Sequence, residues 1–395
     1  MEKVRLAIVG LGGRARGLVN QVLLENEKCE IVALCDVYQD RIDDMADTVK
    51  KCKGIDVFKS TDYKDLLTRN DIDAILVIAS WECHIEVAIA SMKAGIPVAI
   101  EVGGAYSVED CYDLVRTQVE TGTKFMFLEN CCYGRVELAI LNMVRQGLFG
   151  EVSHCEGGYE HDLRNQILTG EEARHYRLRN YIDRNCDNYP MHALGPIAKM
   201  LNINNGNRML YLTSMASKAT SLNDYAALHP EKYQSKFVTQ KFNQGDVVRT
   251  NIMCADGTTI ALRLNTSSAR PYSRNYSVQG SRACYYEDGH FFHFDTEFTK
   301  EDEERPESYL GNEMKFVEKY EHPIWQKFLN DGVKGGHGGM DWLLFEEFFD
   351  YIINGGKSPI DVYDAAAWMC ITPLSAQSIK EGSRPVEIPD FTLIK

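Results

Sequence analysis

Tyr189 and His192 lie three residues apart in the segment NCDNYPMHALGP, residues 185–196, with Pro190 between them. An imidazole titrates near neutrality, so His192 suits a proton acceptor at ambient pH. A phenol titrates at about pH 10 and becomes a useful base only where a cation stabilises its phenolate. Arg177, in HYRLRN, is the candidate for that cation, and Tyr159, in GGYEHDLR, competes with Tyr189 for the same task. Tyr272 in RPYSR and the motif GHGGMD belong to further stretches rich in Tyr, His, Arg and polar residues. Without clear periodicity, these stretches read as loops around a polar ligand.

A second chemistry is written at the other end of the chain. The run VRLAIVG ends in a glycine turn, the run RARGLVNQVLLEN has helical spacing, and CEIVALCD is a second apolar run closed by an acid. Strand, glycine turn, helix and strand make one βαβ unit. The turn, Gly10-Leu11-Gly12-Gly13-Arg14-Ala15, has the G-x-G-x-x-A form of a dinucleotide fingerprint. Gly10 permits the tight turn, Gly12 lets backbone approach a pyrophosphate, and Ala15 keeps helix close to strand. Asp36 stands where a carboxylate hydrogen-bonds the adenine ribose, which favours NAD over NADP because it repels a 2′-phosphate.

The alternation continues through DAILVIAS, HIEVAIASMKAG, PVAIEV, VEDCYDLVRTQVETG, KFMFLEN and RVELAILNMVRQGLFG. Such a pattern predicts an α/β, doubly wound parallel sheet over residues 1–150, with ligand beyond the carboxyl ends of the strands. That rim carries Trp81, His84, Glu101, Glu129 and Asn130. With Gly10, Gly12, Gly13, Arg14 and Asp36, the residues Trp81, His84, Glu101 and Asn130 form the cofactor-binding set. Each also has a plainer reading: Trp81 packs, His84 begins a helix, Glu101 ends a strand.

Residues 151–395 read differently. EVSHCEGGYEHD and LYLTSMASKA are strands, and two hairpins are signalled at Ala255-Asp256-Gly257 and Asp288-Gly289. This predicts an open, mainly antiparallel sheet domain that binds substrate and covers its face by pairing with a second subunit. DWLLFEEFFDYIING and DVYDAAAWMCITPLSAQSIKEG have helical spacing and pack back, and residues Glu387 to Lys395 form a tail. The chain of 395 residues, 44% hydrophobic and 25% charged, is long enough for two cored domains. A net charge of −14 argues against nucleic acid as partner. No apolar run approaches the ~20 residues of a membrane span. The 12 cysteines show no C-x-x-C spacing, so neither disulfides nor a metal site is expected, and free thiols suit a reducing compartment. No secretory leader is read at Met1, which points to a cytoplasmic protein or one whose leader has been removed.

The amino-terminal half resembles the Gfo/Idh/MocA oxidoreductases, a Rossmann domain followed by an open sheet domain. Two departures stand out. Glu101-Val102-Gly103 replaces the Glu-Lys-Pro segment of the ordinary dehydrogenases, and Asn188 replaces the aspartate four residues before the second-domain histidine. SWECH, LENCCYGR, GGYEHDLR, HYRLRN, NYPMHALGP, RPYSR, GHGGMD and DVYDAAAW together resemble the NAD-dependent glycoside hydrolases of family 109, known as α-N-acetylgalactosaminidases, over nearly the whole chain.

That resemblance implies an exception to the usual carboxylate-pair glycosidase. Oxidation of the sugar 3-hydroxyl by NAD⁺ acidifies the C2–H. A base removes that proton, the C1 substituent leaves, water adds, and reduction restores the sugar with retention. It implies His192 at the 3-hydroxyl, Tyr189 or Tyr159 at C2, and Glu129, Tyr159, Arg177, Tyr189 and Tyr272 around the sugar. Two other readings stay open: a sugar or polyol dehydrogenase with net turnover of NAD, disfavoured by the missing lysine, and a non-catalytic sensor of NAD or sugar.

Overall fold

The computed structural model describes residues 3–297 and 309–395. Six strands, β1 (Val4–Val9), β2 (Cys29–Cys35), β3 (Phe58–Ser60), β4 (Ala74–Val77), β5 (Val98–Glu101) and β6 (Phe125–Leu128), form a sheet of order β3-β2-β1-β4-β5-β6. All its pairings are parallel. β4, β5 and β6 are buried at every position, as expected of strands covered on both faces. The helices between them are α1 (Gly13–Leu18), which runs on into a π-helical turn at Val19–Leu23, α2 (Gln39–Lys53), α3 (His84–Lys93) and α4 (Val108–Thr121). Ser107 and Asp110 close a capping box at the start of α4, and Gly122 ends it at φ 61°. The sheet matches the expected doubly wound form. α2 and β3, in a charged stretch, are found only in the structure.

The compact units do not divide at 150/151. One comprises Met1–Gly134, Lys327–Ala367 and Phe391–Lys395; the other comprises Arg135–Gln326 and Trp368–Asp390. Long-range contacts decide this. Lys124 Nζ donates to the carbonyls of Tyr351 (3.0 Å) and Ile352 (2.8 Å), and Phe127 N donates to Ile360 O at 3.0 Å, so the helix Met340–Asn354 and the chain after it belong with β6. Nor are residues 387–395 a loose tail. Phe391 is buried, with its ring 5.0 Å from Tyr112, so the last residues stay with the first unit.

The second unit starts with α5 (Arg135–Arg145), and its described residues hold eight strands: β7 (Val152–Glu160), β8 (Met209–Ala216), β9 (Val248–Cys254), β10 (Thr259–Asn265), β11 (Ser277–Gly280), β12 (Ala283–Tyr286), β13 (Phe291–Phe294) and β14 (Val386–Glu387). Their order is β13-β12-β11-β7-β10-β9-β8-β14; β10 pairs with β7 in parallel, and the other pairings are antiparallel. β9 and β10 alternate buried with more exposed positions, one face to the core. The helices α6 (Arg164–Leu168), α7 (Arg177–Asp183) and α8 (Met191–Met200) follow β7. α8 lies tightly on β7: a Cβ at Gly157 would stand 2.7 Å from the Ala193 side chain, so a glycine is required there. The long helical stretch DVYDAAAWMCITPLSAQSIKEG divides into Val362–Met369 and Ile371–Lys380, consistent with Pro373 denying the second helix a backbone donor in its first turn. No helix among the described residues is long and apolar enough to cross a membrane.

Candidate active site

In the first unit the fingerprint turn is built as its residues demand. Gly10 sits at φ +90°, and a Cβ there would fall 2.4 Å from the Ala79 backbone, so no side chain fits between the ends of β1 and β4. Gly13 faces open space, and a Cβ on Gly12 would meet nothing nearer than Arg41 at 3.9 Å. This leaves exposed backbone where a pyrophosphate is expected to approach, so the turn fits a dinucleotide. Asp36, just past β2 and 7% exposed, accepts from Leu11 N at 2.7 Å and from Tyr38 N at 3.0 Å, with Arg41 Nη1 3.7 Å away. Its carboxylate braces the turn and keeps lone pairs for a ribose diol.

Arg14 is held from several sides. Its Nε donates to Glu101 Oε1 at 2.7 Å, and Nη1 and Nη2 form a fork on Asp341 at 2.8 and 2.9 Å. His337 Nδ1 lies 2.7 Å from Asp341 Oδ2, and Asn130 Nδ2 donates to Asp341 Oδ1 at 2.8 Å. Burial pushes the Asp341 carboxyl up, but the hydrogen bonds from His337 and Arg14 and the Arg14 charge outweigh it and leave it well below the usual carboxylate range. Asp341 therefore gathers Arg14, Asn130 and, through Arg14, Glu101. Its sequence distance from the turn hid this; GHGGMD was the available signal.

The other rim residues are interior. Trp81 is 2% exposed, and a Cβ at Gly103 would stand 2.4 Å from its indole, so Gly103 is the space that Trp81 occupies. His84 Nε2 is 3.0 Å from Ala79 O, and burial pulls its imidazole down to about 4, leaving it neutral. Glu129 is fully buried and accepts from Cys131 N at 2.9 Å.

In the second unit Tyr159, Tyr189, His192 and Arg177 come together. Tyr159 lies near the end of β7, as the strand reading of EVSHCEGGYEHD expects, and Arg177 opens α7. Pro190 caps α8, which places Tyr189 just before the helix and His192 in its first turn. The Tyr189 hydroxyl and His192 Nε2 are 3.5 Å apart. The Tyr159 ring centroid is 4.4 Å from Tyr189 and 5.5 Å from His192. The Arg177 guanidinium carbon lies 5.3 Å from the Tyr189 ring centre and 5.8 Å from that of Tyr159. Burial opposes the Arg177 charge, and the phenols of Tyr176, Tyr159, Tyr181 and Tyr189 more than compensate, raising it above its ordinary value. The reciprocal of the Arg177–Tyr189 attraction favours phenolate at Tyr189.

Tyr272 is 54% exposed and joins the group through His161, whose ring lies 5.3 Å from Tyr272 and 6.2 Å from Tyr159. His161 was not singled out in the sequence, although it follows Tyr159 at strand spacing. Burial, then the Arg177 charge, lowers its pKa and favours the neutral ring. Glu160 anchors this edge between Arg263 Nε (2.9 Å) and Arg270 Nη1 (2.6 Å). Asn188 is buried and donates to Gln244 Oε1 at 3.3 Å.

A dinucleotide turn in one unit and a Tyr–His–Arg cluster on an open sheet in the other define a two-domain protein of the nicotinamide-dependent oxidoreductase type. Residues 4–128 match the oxidoreductase family with NAD-binding Rossmann fold, and residues 133–395 match the glycosyl hydrolase 109 C-terminal domain. The chain is 36% identical to a glycosyl hydrolase family 109 protein of Stenotrophomonas maltophilia, covering 99% of this chain and 89% of that one. It is 35% identical to an alpha-N-acetylgalactosaminidase of Tannerella forsythia, covering 98% and 86%. It belongs to glycosyl hydrolase family 109 and is a nicotinamide-dependent glycoside hydrolase. In fold it is similar to levoglucosan dehydrogenase in complex with NADH and levoglucosan (TM-score 0.71, 14% identity, 98% of this chain and 100% of that). It is also similar to an inositol dehydrogenase homolog complexed with NADH and myo-inositol from Azotobacter vinelandii (TM-score 0.69, 17% identity, 98% of both).

Proposed function

We propose that the protein releases terminal α-N-acetylgalactosamine from glycoconjugates, with retention, using bound NAD. The observation that carries this is the Tyr189–His192 pair beside Arg177, on a chain similar over nearly its full length to alpha-N-acetylgalactosaminidases. Gly10, Gly12, Gly13 and Asp36 hold the dinucleotide, and the Asp36 carboxylate disfavours a 2′-phosphate. Arg14, Glu101 and Asn130, joined through Asp341, stiffen that turn; His84 holds the Ala79 carbonyl beside Gly10, and Trp81 packs against Gly103 at the rim. When bound, the cofactor supplies a hydride acceptor for the sugar C3–H and the donor that returns it, so no net oxidation results.

His192 takes the 3-hydroxyl proton. The ketone at C3 makes the C2–H acidic, and Tyr189 removes it as phenolate, with the Tyr159 ring tilted beside it, centroids 4.4 Å apart, as the alternative base. Arg177 stabilises that phenolate. The Tyr189 hydroxyl and His192 Nε2, 3.5 Å apart, face one reacting region. The C1 substituent then departs, water adds at C1, Tyr189 returns a proton to C2, His192 returns one to the 3-oxygen, and reduction at C3 closes the cycle. Glu129 and Tyr272 contribute to sugar binding.

Exposed Tyr211 and Met215 on β8 and Tyr286 on β12 support pairing of the open sheet with a second copy of the chain. Free thiols at all 12 cysteines suit a reducing, cytoplasmic setting. A panel of chromogenic α- and β-glycosides, with and without added NAD⁺, tests the reading. Release from the α-N-acetylgalactosaminide without bulk NADH is expected. Steady NADH formation from free sugar with no glycoside cleavage would instead make it a dehydrogenase.

A further inference from the structure

Beneath the Tyr189–His192 segment runs a seam of buried hydroxyls. Ser214 on β8, Thr250 on β9, and Thr372, Ser375 and Ser378 on the helix Ile371–Lys380 are each 0–1% exposed. Ser214 Oγ and Thr250 Oγ1 are 2.8 Å apart, Ser378 Oγ accepts from Ser214 N at 2.9 Å, and Ser375 Oγ donates to Thr372 O at 2.8 Å. One ionisable residue is stitched into this seam. Asp187 donates its backbone N–H to Ser375 Oγ at 2.8 Å and accepts from Thr372 Oγ1 on its carbonyl at 2.8 Å. Its side chain accepts from Thr250 and from the backbone N–H of Tyr189.

We propose that Asp187 is a positioning residue for the Tyr189–His192 pair, fixing the segment from below as an uncharged acid. The inference rests on the function proposed above. Asp187 is 2% exposed, and its Oδ2 is buried with no hydrogen-bond partner among the described residues. A carboxylate in that setting carries a charge that nothing balances, whereas the acid form costs far less. The sheet side offers the hydroxyls of Ser214 and Thr250, and the helix side those of Thr372 and Ser375. On its own segment lie Cys186, whose thiol burial pushes up to about 11 so that it too is neutral, and Arg184, whose charge acts on that thiol. Cys370, just before the helix, is a second buried thiol, raised by burial. Burial raises the Asp187 carboxyl to about 7, with the Thr250 and Tyr189 hydrogen bonds holding it back from a larger shift.

Asp187→Asn keeps an oxygen for Thr250 and Tyr189 but cannot ionise. Asp187→Leu keeps volume and loses the hydrogen bond to Tyr189. Turnover is measured from pH 5 to 9, together with the melting temperature over the same range. With wild type, a fall in kcat as pH rises through about 7 is expected. In Asp187→Asn that fall disappears, while kcat below pH 7 stays within about threefold. In Asp187→Leu kcat drops roughly 10- to 100-fold across the range with NAD affinity unchanged, the size of loss that small misplacements cause. A raised carboxyl pKa makes the fold lose stability as pH rises from the ordinary carboxylate range through about 7, so the wild-type melting temperature falls over that interval and that of Asp187→Asn does not. Identical pH profiles in wild type and Asp187→Asn, or full kcat in Asp187→Leu, overturn the assignment. If no variant cleaves any glycoside, the proposed function fails; the melting curves still decide Asp187, and the same pH dependence in wild type and Asp187→Asn overturns it.

Discussion

Replacing Arg177 by methionine removes the cation that faces both candidate bases while keeping an unbranched side chain. Its charge centre lies 5.3 Å from the Tyr189 ring and 5.8 Å from the Tyr159 ring. With the phenolate charge taken at the Tyr189 ring centre, about 5.3 Å away, and an effective dielectric of about 20, a unit charge is worth roughly 3 kcal/mol. At about 1.4 kcal/mol per factor of ten, the phenolate fraction at neutral pH should fall about 100-fold. The assay is kcat on an α-N-acetylgalactosaminide from pH 6 to 10, with melting temperature and NAD affinity as controls. Arg177→Met should lose about 100-fold at pH 7 and recover part of it above pH 9, and Arg177→Lys should fall between. A kcat within threefold of wild type, or a deficit of constant size up to pH 10, would refute phenolate stabilisation by Arg177.

Three further outcomes are expected. His192→Ala should lower kcat by ~10²–10⁴-fold, with NAD affinity by calorimetry retained because the glycine turn belongs to the other unit. Asp36→Ala should weaken NAD binding and narrow its preference over NADP; since Asp36 also accepts from Leu11 N and Tyr38 N, roughly 1–3 kcal/mol of stability should go too, read as a lower melting temperature. Asp341→Asn should release Arg14 and lower the melting temperature at pH 7. The Asp341 pKa is depressed, so its stabilisation is complete above the ordinary carboxylate range and fades as pH falls below it; the two proteins should converge in acid.

What the sequence made legible was what is local. Gly10 and Asp36 are fixed by a strand, a turn and the next strand, and the structure places both as that spacing requires. Tyr189 and His192 share one segment, so their adjacency follows from Pro190 and the first turn of α8. What stayed hidden is carried by distant contacts. The first unit takes back Lys327–Ala367 through bonds from the Lys124 side chain and the Phe127 N–H to main-chain carbonyls, which leave no pattern in the intervening residues. Asp341 meets Arg14 across 327 positions. Tyr159 lies in the run EVSHCEGGYEHD, legible as a strand, and β7 holds it; what stayed hidden is that its glycines serve packing, since Gly157 admits Ala193 and Gly158 runs close under Arg263 O. Asp187 gave no signal, since burial and the lack of a countercharge are properties of the folded neighbourhood.

The central claim is that the glycosidic bond breaks by elimination after oxidation at C3, with the C2 proton removed by a tyrosine. Hydrolysis of an α-N-acetylgalactosaminide in deuterated water, with the product followed by NMR as it forms, tests this most directly. The account predicts deuterium at C2 of the released sugar and first appearance of the α-anomer. Product with its original C2 hydrogen from a fully active enzyme would contradict the account and point to direct displacement at C1.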